Sequence, residues 1–126
     1  MNVPDNLKYT QTHEWAKLAN DVVVIGISDH AQHELTDIVH IDDYPKIGSV
    51  IKKGQVIAVL ESVKAVAEVF APVSGTLLEV NGKLEDAPEL LNKAPYDAWI
   101  AKIKPSEKKE MTGLLSAEAY KKLLPE

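Results

Sequence analysis

Three short apolar, β-prone runs, separated only by glycine, proline and a brief turn, constrain this chain more than any other feature. They are Val56 to Leu60, Val66 to Phe70 and Thr76 to Val80. Gly54 precedes the first, Ala71-Pro72 breaks the second, and Gly75 opens the third. Strands this closely spaced predict a small β-sandwich or barrel. The pattern also repeats weakly. Gly54-Gln55-Val56-Ile57-Ala58-Val59 resembles Gly75-Thr76-Leu77-Leu78-Glu79-Val80, and Lys64 lies nearly midway between the two glycines. A pseudo-symmetric pair of β-units would put Lys64 at the turn between them. The competing reading is chance similarity between two strands of common pattern.

The flanking sequence adds further elements. Leu7 to Thr10 leads into Thr12-His13-Glu14-Trp15. Val22 to Ile25 reads as a buried strand ending at Gly26. Ser28 offers an N-cap, and Asp29 an acidic first turn, for a short helix through about Leu35. Ile38 to Ile41 reads as another strand. Asp86 with Glu89 resembles a capping box opening a short helix, and Tyr96 to Lys104 reads as a final strand. From Ser106 the chain is rich in lysine and glutamate. Ser116 can cap a last helix over Ala117 to Leu124, with Leu123 and Leu124 docking and Pro125 stopping it.

No linker interrupts the 126 residues. The expectation is one domain over 1–126, with 106–126 as its helical C-terminal cap. An apolar share of 45% with 26% charged residues supplies a core without metal or disulfide staples.

Composition excludes several classes. There is no cysteine, so the chain has no thiolate of its own and no disulfide framework. A formal net charge of −5 disfavours nucleic acid as a partner. No apolar run approaches the ~20 residues that span a bilayer, so no membrane insertion is expected. Met1-Asn2-Val3-Pro4-Asp5 has neither a basic nor an apolar leader segment. A cytoplasmic monomer is expected, with a processed mitochondrial-matrix form as the alternative.

Lys64 is the residue of most chemical interest. Val63 and Ala65 flank it, with Glu61 and Ser62 just before. A lysine at a tight turn between strands is open to a modifying enzyme and is rooted on a rigid scaffold. An ordinary solvated turn lysine is the plain alternative. The histidines invite a metal reading, since His30 and His33 are three apart on a helix. Zinc takes three or four ligands, no cysteine is present, and His13 and His40 are remote in sequence, so no metal is assigned. Trp15, Trp99 and Phe70 read as core.

Several motifs together carry a family resemblance. Val59-Leu60-Glu61-Ser62-Val63-Lys64-Ala65-Val66, followed by Ala71-Pro72-Val73-Ser74-Gly75, resembles the lipoylation site of the glycine cleavage system H-protein family. Lys8-Tyr9-Thr10 with His13-Glu14-Trp15, Gly26 to Gln32, Asp37-Ile38-Val39, Pro88 to Asn92, and Trp99 with Lys102 to Pro105 fit the same family in order. There are departures. Thr36 stands where the family commonly has glycine, no glycine shortly precedes Trp99, and Gly82 follows Asn81 where a longer side chain is usual.

The resemblance implies a lipoyl-type hybrid barrel with Lys64 at a hairpin tip, and a carrier without catalysis of its own. A lipoyl group would be joined by an amide to Lys64. Glu61, Ser62, Val63 and Ala65 would form the hairpin that the attaching enzyme, a lipoate ligase or a lipoyl/octanoyl transferase, recognises. Three partners are implied. The P protein is a pyridoxal-phosphate glycine decarboxylase that loads an aminomethyl group. The T protein is an aminomethyltransferase that passes it to tetrahydrofolate. The L protein is a dihydrolipoyl dehydrogenase that reoxidises the dithiol. The missing cysteine agrees with this, because the reactive sulfurs would belong to the cofactor.

The resemblance also implies a cleft sheltering the loaded arm. A neutral amine can expel the thiolate, and a nearby carboxylate opposes this by favouring the protonated amine. Glu14 is the leading candidate for that carboxylate. Asp29 and His33 are weaker ones, and a plain surface carboxylate is the alternative for Glu14. Rival functions are a biotinyl carrier, whose lysine is typically flanked by methionines, and the lipoyl domain of a 2-oxo acid dehydrogenase. An unmodified β-module and an H-like protein relaying lipoate to other enzymes complete the set.

Overall fold

A computed structural model describes residues 1–125 of the chain; Glu126 lies outside the described residues. In chain order the elements are β1 (Lys8–Tyr9), β2 (Glu14–Ala19), β3 (Val22–Ile27), α1 (Asp29–Leu35), β4 (Ile38–Asp42), β5 (Val50–Ile51) and β6 (Val56–Ser62). There follow β7 (Val66–Phe70), β8 (Gly75–Val80), α2 (Lys83–Asp86), α3 (Leu90–Lys93) and β9 (Ala101–Pro105). A 3-10 turn (Lys108–Gly113) and α4 (Ala117–Lys121) close the chain.

The strands form two sheets, with every pairing antiparallel. Six strands run in the order β1-β2-β3-β9-β8-β5, and three in the order β4-β6-β7. This is the β-sandwich with short helices predicted from the strand spacing. The two related glycine-led runs open strands of different sheets, β6 in the small one and β8 in the large one. The main core between the sheets contains Ile25, Ile27, Ile57, Leu60, Val69, Leu77 and Ile103, all essentially inaccessible to water. Burial of such side chains is the principal stabilising term, at about 1.5–3 kcal/mol each. A second cluster of Val3, Leu7, Tyr9, Trp15, Ala117 and Tyr120 docks α4 against β1 and β2.

Local chemistry accounts for the joints. Asn20 and Asp21 both have positive φ, at 51° and 66°, and form a two-residue turn joining β2 to β3. Asparagine and aspartate tolerate that conformation better than most residues. Trp15 lies opposite Gly26 across the β2–β3 pair, and a Cβ at Gly26 would come within 2.5 Å of its ring. The indole N–H also donates to the Pro95 carbonyl at 2.9 Å. Ser28 caps α1 as expected, its hydroxyl accepting from Ala31 N–H at 3.2 Å.

Four sequence expectations need correction. Tyr96 to Ile100 is not strand; β9 begins at Ala101, because Ala94 carbonyl takes the N–H groups of Asp97 and Ala98 and curls that segment into turns. Asp86 ends α2 rather than capping a helix, and α3 starts at Leu90 without a side-chain cap. The last helix stops at Lys121, leaving Leu123 51% exposed rather than docked. Trp99 and Phe70 are half-buried instead of core, with the Lys102 ammonium 4.4 Å from the centroid of a Trp99 ring. No helix among the described residues is long and apolar enough to cross a membrane.

Candidate functional site

Lys64 sits at the tip of the β6–β7 hairpin. Glu61 pairs with Val66, Leu60 with Ala67 and Val59 with Glu68, leaving Ser62 to Ala65 as the turn. Neither Val63 nor Lys64 has positive φ, so this is not the glycine-type turn most two-residue hairpins use. Ser62 takes that role chemically. Its hydroxyl accepts from the N–H groups of Lys64 at 3.2 Å and Ala65 at 2.9 Å, while Ser62 N–H donates to the Ala65 carbonyl at 2.8 Å. Val63, Lys64 and Ala65 are all exposed, and Val63 is 69% so.

The tip is also tied down from outside. Val63 N–H donates to the Asp37 carbonyl at 3.0 Å, and Ile38 of β4 pairs with Ser62. The Lys64 ammonium donates to the Glu34 carbonyl at 3.2 Å, and no carboxylate lies within ion-pair distance of it among the described residues. This arrangement suits acylation. An amide keeps one N–H for the Glu34 carbonyl, and losing the charge breaks no ion pair.

Glu34 also borders a cavity of about 300 Å³ between α1 and the hairpin strands. Ile27, Leu35, Leu60 and Val69 give it an apolar lining, and Thr12, His13, Glu14, His30, Glu34 and Glu68 supply the polar side. An apolar channel with a few convergent polar groups is the usual form of a small-ligand site. A larger cavity, about 520 Å³, is lined by residues such as Asn81, Leu90 and Trp99 and includes nothing from the lysine hairpin. Proximity to Lys64 makes the smaller one the relevant cleft.

Glu14 is the notable group inside it, being 1% exposed. One carboxylate oxygen accepts from the hydroxyls of Thr10 and Thr12, both at 2.5 Å, and the other from Phe70 N–H at 3.1 Å. Burial pushes its pKa above the ordinary carboxylate value, and those hydrogen bonds partly oppose the shift. The result is a fixed acceptor that a cation entering the cleft would neutralise.

The other two cleft candidates do not line it. Asp29 accepts from Asn2 N–H at 2.9 Å and from the Gln32 amide at 2.7 Å, on a different side of α1, and His33 is exposed. The cause is helical phase. Residues 29 and 33 share one face, whereas His30 and Glu34, also four apart, face the cleft. His30, Glu34 and Glu68 were therefore missed. The i to i+4 spacing of His30 and Glu34 was a usable signal once α1 had been placed.

The His30–His33 pairing considered for a metal does not form, because His30 is buried against His13 with ring centroids 4.6 Å apart. A different trio, His40, Asp42 and Glu61, brings its ligand atoms within 4.8 Å on the small sheet. His40 and Asp42 are each about half exposed and already hydrogen-bonded at 3.0 Å.

Comparison with known proteins then bears on what this geometry serves. Residues 7–126 match the family described as glycine cleavage H-protein. A probable glycine cleavage system H protein of Thermococcus gammatolerans is 52% identical over 124 residues, covering 97% of this chain and 92% of that protein. The glycine cleavage system H protein of Anaeromyxobacter sp. (strain K) is 45% identical over 127 residues, covering 100% and 98%. In three dimensions the chain is similar to the crystal structure of a glycine cleavage system H protein from Mycobacterium marinum. The TM-score is 0.84 and the identity 30%, covering 94% of this chain and 95% of that one.

Proposed function

This chain belongs to the glycine cleavage H-protein family, and from that premise we propose that Lys64 is the lysine that carries its lipoyl group. Members of the family are non-catalytic lipoyl carriers that shuttle one-carbon units, and this chain is one of them. The finer assignment to Lys64 rests on one observation above the others. The exposed, tethered tip of the β6–β7 hairpin places the Lys64 ammonium on the Glu34 carbonyl, beside the cleft that holds Glu14.

When bound, the cofactor supplies a disulfide–dithiol pair on a flexible apolar chain, chemistry that a cysteine-free protein lacks. This chain's own residues supply the rest. Ser62 and Asp37 hold the root. Ile27, Leu60 and Val69 offer apolar surface along the cleft and limit water there. Glu14 presents a buried carboxylate, held by three donors with acceptor capacity left on the oxygen facing Phe70 N–H, that favours the ammonium form of the aminomethyl cargo.

The partners follow from the chemistry of the cargo. The P protein delivers an aminomethyl group from glycine, the T protein removes it and the L protein restores the disulfide. A lipoate ligase or lipoyl/octanoyl transferase makes the amide at Lys64, with Glu61, Ser62, Val63 and Ala65 as its recognition hairpin. We take residues 1–126 as one functional unit acting as a cytoplasmic monomer.

The test is an exchange assay. Lipoylated wild-type protein should support P-protein-dependent exchange between glycine and carbon dioxide, and Lys64→Arg should support none. Full exchange by the Lys64→Arg protein would overturn the assignment.

A further inference from the structure

The Tyr120 hydroxyl bridges two walls of the cleft. It lies 2.7 Å from His13 Nδ1 on the turn before β2, and 2.6 Å from Ser28 Oγ at the start of α1. These contacts join residues 107 and 92 positions apart in sequence. His13 holds a φ of 73°, an uncommon conformation that histidine adopts more readily than most residues. Tyr120 is fully buried and stacks on Tyr9 with centroids 4.6 Å apart and planes 6° apart. Neither the family assignment nor the attachment of a cofactor at Lys64 gives this tyrosine a role.

Counting donors fixes the direction of the chain of hydrogen bonds. Ser28 Oγ accepts from Ala31 N–H, and its only other partner among the described residues is Tyr120. Ser28 is 0% exposed, so no solvent takes its proton. The hydroxyl must therefore donate to Tyr120. The tyrosine then donates onward, and His13 Nδ1 accepts. That makes His13 neutral, with its proton on Nε2. If His13 were doubly protonated, Nδ1 would donate to Tyr120, Tyr120 would donate to Ser28, and a buried serine proton would lack an acceptor.

We propose that Tyr120 is a positioning residue: through a directed relay from the α1 N-cap it keeps His13 neutral in the cleft wall, so that the cleft accepts a cationic cargo. The proposal rests on the reading of this cleft as the arm's shelter. A charged His13 would add a positive charge where an ammonium has to reside. The groups around it are His30 and Glu34 from α1, Glu14 from β2, Glu68 from β7, and Tyr120 stacked on Tyr9. Two other observations agree in sign. Burial, then the neighbouring His30, lowers the His13 pKa below the ordinary imidazole value, with Glu34 opposing. Burial pushes the Tyr120 hydroxyl up to about 12, so it remains a donor throughout the physiological range.

Tyr120→Phe keeps the ring and its stacking but removes the relay. The first measurement is nitrogen-15 NMR of the imidazoles in the unlipoylated full chain, which is independent of any carrier role. Wild-type His13 should be the Nε2–H tautomer, and Tyr120→Phe should raise its titration midpoint. An Nδ1–H tautomer in the wild type, or an unmoved midpoint, overturns the relay. The second measurement is spontaneous amine release from lipoylated, aminomethyl-loaded protein as a function of pH. Tyr120→Phe should release several-fold faster at about pH 6.5, the ordinary imidazole midpoint, with the difference narrowing at higher pH. Identical pH profiles overturn the link to cargo. If wild-type release already equals that from Glu14→Ala at every pH, the shelter reading itself fails, which the first measurement would not show.

Discussion

The Lys64 ammonium rests on the main-chain carbonyl of Glu34, 3.2 Å away and 30 residues earlier in the sequence. This one contact joins the hairpin to α1 and sets Lys64, the proposed attachment point, beside the cleft. It uses a carbonyl instead of a carboxylate, so the lysine is oriented without being locked in an ion pair. Neutralising the lysine by acylation therefore costs the fold little.

Burying Glu14 costs stability at neutral pH, and in the proposed function that cost is tied to cargo retention. Its folded-state pKa is raised, so the folded chain binds a proton in a range where the unfolded chain has lost it. Stability contributed by this group falls as pH rises from the ordinary carboxylate value through the raised one, and the full cost persists above it. Glu14→Gln removes the ionisation. The Gln carbonyl can accept from Phe70 N–H and its amide can donate to Thr10 and Thr12. The variant should match or exceed wild-type stability at neutral pH and lose that advantage in acid. It should also shorten the lifetime of aminomethyl-loaded protein. Urea unfolding at several pH values checks the first claim and amine release the second; a long-lived loaded Glu14→Gln protein would remove Glu14 from its role.

Thr36 ends α1 with φ 62° and ψ −148°, a conformation that suits glycine and strains a β-branched residue. Asn92 holds it there, donating to the Thr36 carbonyl at 2.7 Å and accepting from Ile38 N–H at 2.9 Å. Thr36→Gly should stabilise the chain by about 1 kcal/mol, since relief of strain outweighs the greater unfolded-state freedom of glycine. Denaturant unfolding measures it. A loss of stability would mean the backbone is not strained at this point.

Ser62 replaces the special turn geometry that the hairpin lacks. Ser62→Ala would leave the N–H groups of Lys64 and Ala65 to solvent, at a cost of about 0.5–1 kcal/mol. Amide exchange at those two residues should accelerate, and the initial rate of enzymatic lipoyl attachment should fall. Exchange rates equal to wild type would show that the strand pairing alone shapes the tip.

Much of this was legible in the sequence, for identifiable reasons. The Val-rich runs announced β3, β6 and β7, and Ser28 announced α1, because β-branching and side-chain capping act locally. The hairpin position of Lys64 followed from the strands on either side. β2 went unread because Glu14 to Ala19 has little intrinsic strand preference and is held by its register with Val22 to Ile27. The early end of α4 and the turns before β9 depend on main-chain contacts that side-chain pattern does not encode. Within the site, Glu14 was named through family resemblance, and the structure places it in the lining of the cleft. His30, Glu34 and Glu68 were missed because membership in the cleft depends on which face of α1 meets which edge of β7, a tertiary relationship. The role of Tyr120 depends on two contacts spanning most of the chain.

The most direct test of the central claim is peptide-resolved mass spectrometry of the protein after expression with lipoate and a lipoate ligase. One lipoyl increment, confined to the peptide containing Lys64 and lost in Lys64→Arg, is the predicted result. An increment on any other lysine, or none in a preparation where a known lipoyl acceptor is modified, would contradict it.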